Sequence, residues 1–218
     1  MKLPFTVEQF LDVFRQYNIA VWPMQIVLIL LALVVVYFSV QKKSYSARLI
    51  IIILAFFWLW MGIVYHLVYF STINKAAIVF GASFIIQSFV FLYFGVIKKR
   101  LSFRFKADEN GIAGMTLVIF ALLIYPLIGY WSGHIYPSSP TFGLPCPTTI
   151  FTFGILLFSS SKISLWVIII PVLWSLIGFS AAFSLGVKED TGLLIAGLLS
   201  TGMILYRNRL FIKSVRTK

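Results

Sequence analysis

Three residues of this sequence carry side chains suited to soft-metal binding or to nucleophile and base chemistry: its two histidines, His66 and His134, and its single cysteine, Cys146. Imidazole nitrogen with thiolate sulfur is a ligand set for copper or zinc ions. His134 and Cys146 lie within the proline-rich stretch SGHIYPSSPTFGLPCPTTIFTFG, residues 132–154. Pro147 suits the first position of a helix, which places Cys146 at the cap, where unpaired N–H groups and the helix dipole favour a thiolate. The same arrangement turns the amides of Thr148 and Thr149 toward the mouth of the loop as ligand contacts, with Tyr136 nearby. The candidate metal ligands are therefore Cys146, His66 and His134, and the candidate ligand-binding residues Cys146, Thr148, Thr149 and Tyr136. Each has a plainer alternative. His66, between Tyr65 and Tyr69, fits an interfacial aromatic belt, His134 a solvated loop, and Cys146 a packing position.

Several chemistries lack their residues. The six acids, Glu8, Asp12, Asp108, Glu109, Glu189 and Asp190, all fall outside the long apolar runs. Proton-coupled transport and aspartyl intramembrane proteolysis require carboxylates at depth, and none is expected there. There is no Gly-x-Ser-x-Gly elbow, no His-Glu-x-x-His and no phosphate-cradling glycine loop. The last apolar run contains no lysine to hold retinal, and only His66 lies in a span where a bis-histidine haem would need two ligands. No cofactor is implied, and the chain does not read as an enzyme.

The elements that must position these residues are helices in a bilayer. Of 218 residues, 61% are hydrophobic, 17% aromatic and 11% charged, and the mean hydropathy is +0.99. Soluble domains carry about a quarter charged residues, so the chain cannot cover a water-facing surface. The net charge of +12 consequently speaks of membrane orientation and not of nucleic acid. One cysteine forms no intramolecular disulfide, and the late, long first apolar run is read as a retained span.

The fold expected is an all-α, polytopic transmembrane bundle in one domain, 1–218, preceded by a short amphipathic helix over 5–18. In that helix Val7, Phe10, Leu11 and Phe14 recur at helical spacing, and Thr6 with Gln9 forms a capping box. Seven spans follow, at about 19–40, 49–70, 77–97, 111–131, 147–161, 163–185 and 191–206. Fourteen of the eighteen lysines and arginines fall on one side of this arrangement, which puts the N-terminus outside and the C-terminus inside. The fifth and seventh spans are short, and losing both would leave five crossings. Small residues (Ala77 with Gly81, Gly178 with Ala182, Ala196 with Ser200, Gly197 with Thr201) mark close helix packing, and Pro126 and Pro171 mark kinks. The uncharged, proline-stiffened loop is expected to plug or line the outer mouth, because irregular backbone at depth survives only against protein or a wet cavity.

The stretch GHIYPSSPTFGLPCPTTIFTFGILL (133–157) and the opening PFTVEQFLDVFRQYNIAVWP (4–23) resemble an uncharacterised bacterial family of multi-pass membrane proteins, a domain of unknown function. The resemblance covers nearly the whole chain. It implies an integral protein of the bacterial cytoplasmic membrane and no established activity. The leading functional expectation is binding or passage of a small ligand or soft metal ion at the outer face. The alternatives are an accessory subunit of a membrane complex and a membrane redox enzyme. The partners expected are the bilayer and either further copies of the chain or a membrane complex.

Overall fold

The structure is a computed structural model that describes residues 4–41 and 43–216, with side chains to residue 212. Lys2, Lys42 and Lys218, and the side chains of Lys213 and Arg216, which enter the charge asymmetry above, lie outside the described residues. The regular structure among the described residues is helical, and the only β pairings there are two isolated bridges.

Helix α1, Val7–Ala20, begins with the expected capping box: Gln9 N–H donates to the Thr6 hydroxyl at 3.3 Å, and Thr6 N–H to the Gln9 side chain at 2.9 Å. Its buried face carries Val13, Phe14 and Tyr17. The chain then turns through Val21, Trp22 and Pro23 into α2, Met24–Val40, with the two axes at 85°. The first span was expected from residue 19. It starts at Met24 because Pro23 has no N–H to continue α1 and disfavours helical backbone at Trp22.

Helix α3, Ser46–Trp60, runs on through widened turns, Met61–Tyr69, to Thr72. Helix α4, Ala77–Leu92, runs on to Ile97. Helix α5, Glu109–Ile119, joins α6, Tyr125–Trp131, through a widened turn, Phe120–Ile124. That turn directly precedes Pro126, which cannot donate to the carbonyl one turn back. With α8, Leu165–Leu185, these make four helices long and apolar enough to cross a membrane, or five if the bent α1–α2 pair is one span.

Helix α7, Pro145–Leu157, has 13 residues, and all but Cys146 are buried. It was expected over 147–161. It ends early because the serines that follow turn their hydroxyls on nearby backbone, as serines do in competition with helix. Ser159 Oγ donates to Ser161 O at 3.0 Å, and Ser161 Oγ to Arg100 O at 2.9 Å. Helix α9, Thr191–Arg216, extends ten residues past the expected end, although its apolar run still stops at Tyr206 before Arg207 and Arg209.

Packing centres on α7. It meets α5 backbone to backbone: a Cβ on Gly114 would lie 2.6 Å from Gly154 O, and one on Gly154 2.7 Å from Gly114 O. Trp58 Nε1–H donates to Thr152 Oγ1 at 3.1 Å, and that hydroxyl donates to Thr148 O at 2.8 Å. Pro171 lies inside α8, so the Val167 carbonyl loses its helical donor. Gln87 Nε2–H, fully buried on α4, supplies one at 3.0 Å. Gln87→Leu should therefore destabilise by about 1–3 kcal/mol, the cost of an unpaired buried carbonyl. The same change in a Pro171→Ala background should cost markedly less, because the helix then satisfies Val167 itself. Thermal midpoints of the four proteins in detergent test this cycle.

Loops gather at two ends. At one end the Asn18 side chain donates to Pro137 O and Ser139 O at 2.7 and 2.8 Å, and His134 pairs with Glu189. This joins the α1–α2 bend, the 132–144 loop and the 186–190 turn. At the other end Phe105 N–H bonds Ser39 O, Arg104 N–H bonds Phe158 O, and the Asn208 amide bonds Ile163 O.

Candidate functional site

The end that holds the proline-rich loop also holds a buried acidic cluster. The 3-10 turn Lys188–Asp190 links α8 to α9. It presents Glu189 and Asp190 inward, at 1% and 3% exposure. The Tyr125 hydroxyl donates to Asp190 Oδ1 at 2.5 Å. Cys146, on the first turn of α7, lies against the same carboxyl and against Trp174. Glu189 Oε1 is 2.8 Å from His134 Nδ1, while its Oε2 is buried with no hydrogen-bond partner. Gly129 makes the room, since a Cβ there would lie 3.2 Å from Glu189 Oε1. Burial pushes the Asp190 carboxyl up to about 7, and the neighbouring Glu189 charge adds to the rise; hydrogen bonds from Tyr125 and Cys146 oppose it.

The two acids are outside the apolar runs, as read, but the turn carrying them folds into the bundle. Tyr125 and His134 supply the partners that make burial tolerable.

Above Cys146 and Asp190 opens a cavity of about 400 Å³. Its walls are aromatic and apolar: Phe5, Phe10 and Phe14 on the α1 side packed with Tyr65 and Phe70, then Phe80, and Trp174 with the small residues Gly178, Ala181 and Ala182 of α8. Tyr125, Cys146 and Asp190 are the reactive or titratable groups at its polar base, with the Trp174 indole against Cys146. This combination of apolar walls with a few convergent polar groups is what small-molecule sites share. The amphipathic helix thus forms a wall of the cavity through Phe10 and Phe14.

The residues singled out from sequence are dispersed. Cys146 is in the site, but it is the second residue of α7 and not its cap. Leu144, with extended backbone, is the cap, and Pro145 takes the first helical position. The Thr148 amide is spent on Leu144 O at 3.3 Å, and its hydroxyl accepts Gly143 N–H at 3.0 Å. Thr149 is fully buried, and its hydroxyl has no partner. Neither threonine lines the cavity. Tyr136 is half exposed, and its hydroxyl reaches Asn18 O at 3.4 Å. His66 is fully buried among Tyr65, Phe80, Phe84 and Trp174, with ring centroids 4.6–5.9 Å away, and both its nitrogens lack partners. It is a core residue and not a belt residue. His134 is a partly buried partner of Glu189 and not a solvated loop residue. Among the described residues no three His, Cys, Asp or Glu side chains are grouped to hold a metal ion, so His66, His134 and Cys146 do not come together as one ligand set.

The loop itself lines the cavity through Pro140, Leu144, Pro145 and Pro147. Phe142 meanwhile drops into the core against Phe57 and Phe151, at 5.5 and 5.4 Å. Gly143 makes that descent with φ +102°, and a Cβ there would lie 2.4 Å from Leu28 Cδ1. Asn18, which nothing in the sequence marks, staples the loop: beyond its two donated bonds, its Oδ1 accepts the Thr141 hydroxyl at 2.7 Å. Asn18→Ala should cost about 2–4 kcal/mol by leaving several loop groups unpaired. It should also speed hydrogen exchange at 134–144 before the rest of the bundle, which exchange with mass-spectrometric readout detects.

The model of one family, described as a family of unknown function (DUF6064), matches residues 7–215. Neither a curated protein nor a solved structure matches the chain.

Proposed function

Since the chain belongs to a family of unknown function, DUF6064, we propose from its geometry alone that it is a multi-pass membrane protein whose outer-end cavity binds a lipophilic molecule carrying a hydrogen-bond donor, best of all an amine. The observation that carries this reading is the Asp190 carboxyl, buried at the base of an aromatic-walled cavity of about 400 Å³. A carboxylate there accepts hydrogen bonds and attracts a cation, and aromatic walls are a setting that tolerates one. Glu189 behind Asp190 makes the base hostile to a second carboxylate. Leu176 and Ile177, both 44% exposed on the outer surface of α8, border the cavity, which suits a ligand arriving from the lipid.

The arrangement in the membrane is part of the proposal. The alternation of loops between the two ends supports seven passes, with α7 a short fifth pass enclosed by the others. The basic residues gathered around 98–106 and 207–209 support a cytoplasmic position for their end. The cavity then faces outward from a bacterial cytoplasmic membrane.

Three ligands of equal chain length test the reading: dodecylamine, dodecanol and dodecanoate, each titrated against the purified protein with calorimetry as the readout. The expected order of affinity is amine, alcohol, carboxylate, with the amine on the order of tenfold or more tighter than the carboxylate. Ala181→Phe, which fills the cavity from α8, should abolish all three responses. Equal affinities for the three heads would sink the role given to Asp190.

A further inference from the structure

The opposite end of the bundle carries a second, smaller cavity of about 150 Å³, and its character is the reverse of the first. It is walled by three cationic side chains, Arg104 and Lys106 from the segment before α5 and Arg207 from α9, against one carboxylate, Asp108. Ser159 and Ser160 complete its lining. Asp108 is the one opposing charge in this lining; it interacts with Arg207, and its Oδ1 caps α5 by accepting Gly111 N–H at 2.9 Å. The ion pairs among the described residues are Arg15–Asp12 and His134–Glu189, so Arg104 and Lys106 have no carboxylate partner there. Arg207 is held in place by donating to Leu157 O at 2.9 Å and Leu156 O at 3.4 Å, the open carbonyls at the end of α7. Its Nε is buried with no partner. The cavity therefore combines a guanidinium held in place with two further cations that have no carboxylate partner among the described residues.

We propose that this cavity binds a phosphate group. A cavity of about 150 Å³ has room for a tetrahedral oxyanion. Guanidinium forks and ammonium groups match phosphate oxygens in geometry and charge. The bound group is either the head of an anionic phospholipid reaching in from the surrounding leaflet or free inorganic phosphate, and both present the same chemistry. The site is independent of the outer cavity and of the ligand proposed there.

The test uses the full chain in nanodiscs of phosphatidylcholine, with the thermal midpoint as readout, because a ligand that binds only the folded state raises it. One arm adds inorganic phosphate, and the other replaces part of the lipid with phosphatidic acid. The parent is compared with Arg104→Gln/Lys106→Gln, whose side chains are exposed. A second comparison is Lys43→Gln/Arg48→Gln, which removes equal charge at the same end but outside the cavity. The expected result is a saturable rise in one arm, weakened about tenfold or more in the cavity variant and unchanged in the control variant. A rise with phosphate identifies the free ion, and a rise with phosphatidic acid alone identifies the lipid head. No saturable rise in either arm, or an equal loss in both variants, overturns the proposal.

Discussion

Asp190→Leu abolishes amine binding in the outer cavity, and Asp190→Asn weakens it on the order of a hundredfold, the scale for removing one member of a buried charge pair. The asparagine variant is the informative one. Its side-chain oxygen still accepts the 2.5 Å bond from Tyr125, so the turn keeps its anchor while the charge is gone. The parent should also show two opposite pH dependences. Its Asp190 carboxyl is pushed from the usual 3.8 up to about 7 by burial, so the folded state favours the neutral acid more than the unfolded chain does. That contribution to stability is fully present below pH 3.8 and is lost as pH rises through about 7. Thermal midpoints of the empty protein should thus fall across this window and level off above it. Amine affinity should rise over the same window as the carboxylate forms. Asp190→Asn should flatten both curves. Parallel curves for parent and variant would show that Asp190 is a structural acceptor only.

This site was partly legible in the sequence and partly hidden, and the division has physical causes. Apolar runs reveal which residues sit in helices because length and hydropathy are local properties. The edges of α4 and α8 come out close to their sequence positions for that reason, as does the Thr6–Gln9 box. The depth of a turn is not local. Glu189 and Asp190 lie between two helices, and their sequence neighbourhood resembles a solvated loop. They are buried because Tyr125, sixty-five residues away, and His134, fifty-five away, meet them. The short helix was legible as a short apolar run. Its consequence, a recess over its first turn where the cavity forms around Pro145, Cys146 and Pro147, follows only once longer helices surround it. Cys146 was found through its flanking prolines, which are a local signal. Asn18 and Gln87 carried none, since each acts by satisfying backbone carbonyls of a distant segment. His66 misled because tyrosine neighbours in sequence suggest an interface, whereas the rings that bury it come from α4 and α8.

Gly154→Ala is expected to damage the fold out of proportion to its size. A single methyl group on α7 would lie 2.7 Å from Gly114 O, 3.0 Å from Val118 Cγ2 and 3.2 Å from Val118 N. Two of these three neighbours are backbone, which no rotamer change can move, so α5 and α7 must separate. Overpacking of this kind costs about 1–3 kcal/mol, and helix propensity alone runs the other way, favouring alanine over glycine by about 1 kcal/mol. Gly202→Ala is the matched comparison, because it too lies within a helix but meets nothing within 4 Å. The thermal midpoint in detergent should fall for Gly154→Ala and hold or rise for Gly202→Ala. Separation of α5 from α7 also shifts the helix that carries Cys146, while Asp190 stays anchored by Tyr125. Gly154→Ala should therefore weaken amine binding at the outer cavity from half a bundle away, under conditions where the protein remains folded. Unchanged affinity together with a lowered midpoint would mean that α7 yields locally around residue 154 and does not transmit the displacement along its axis.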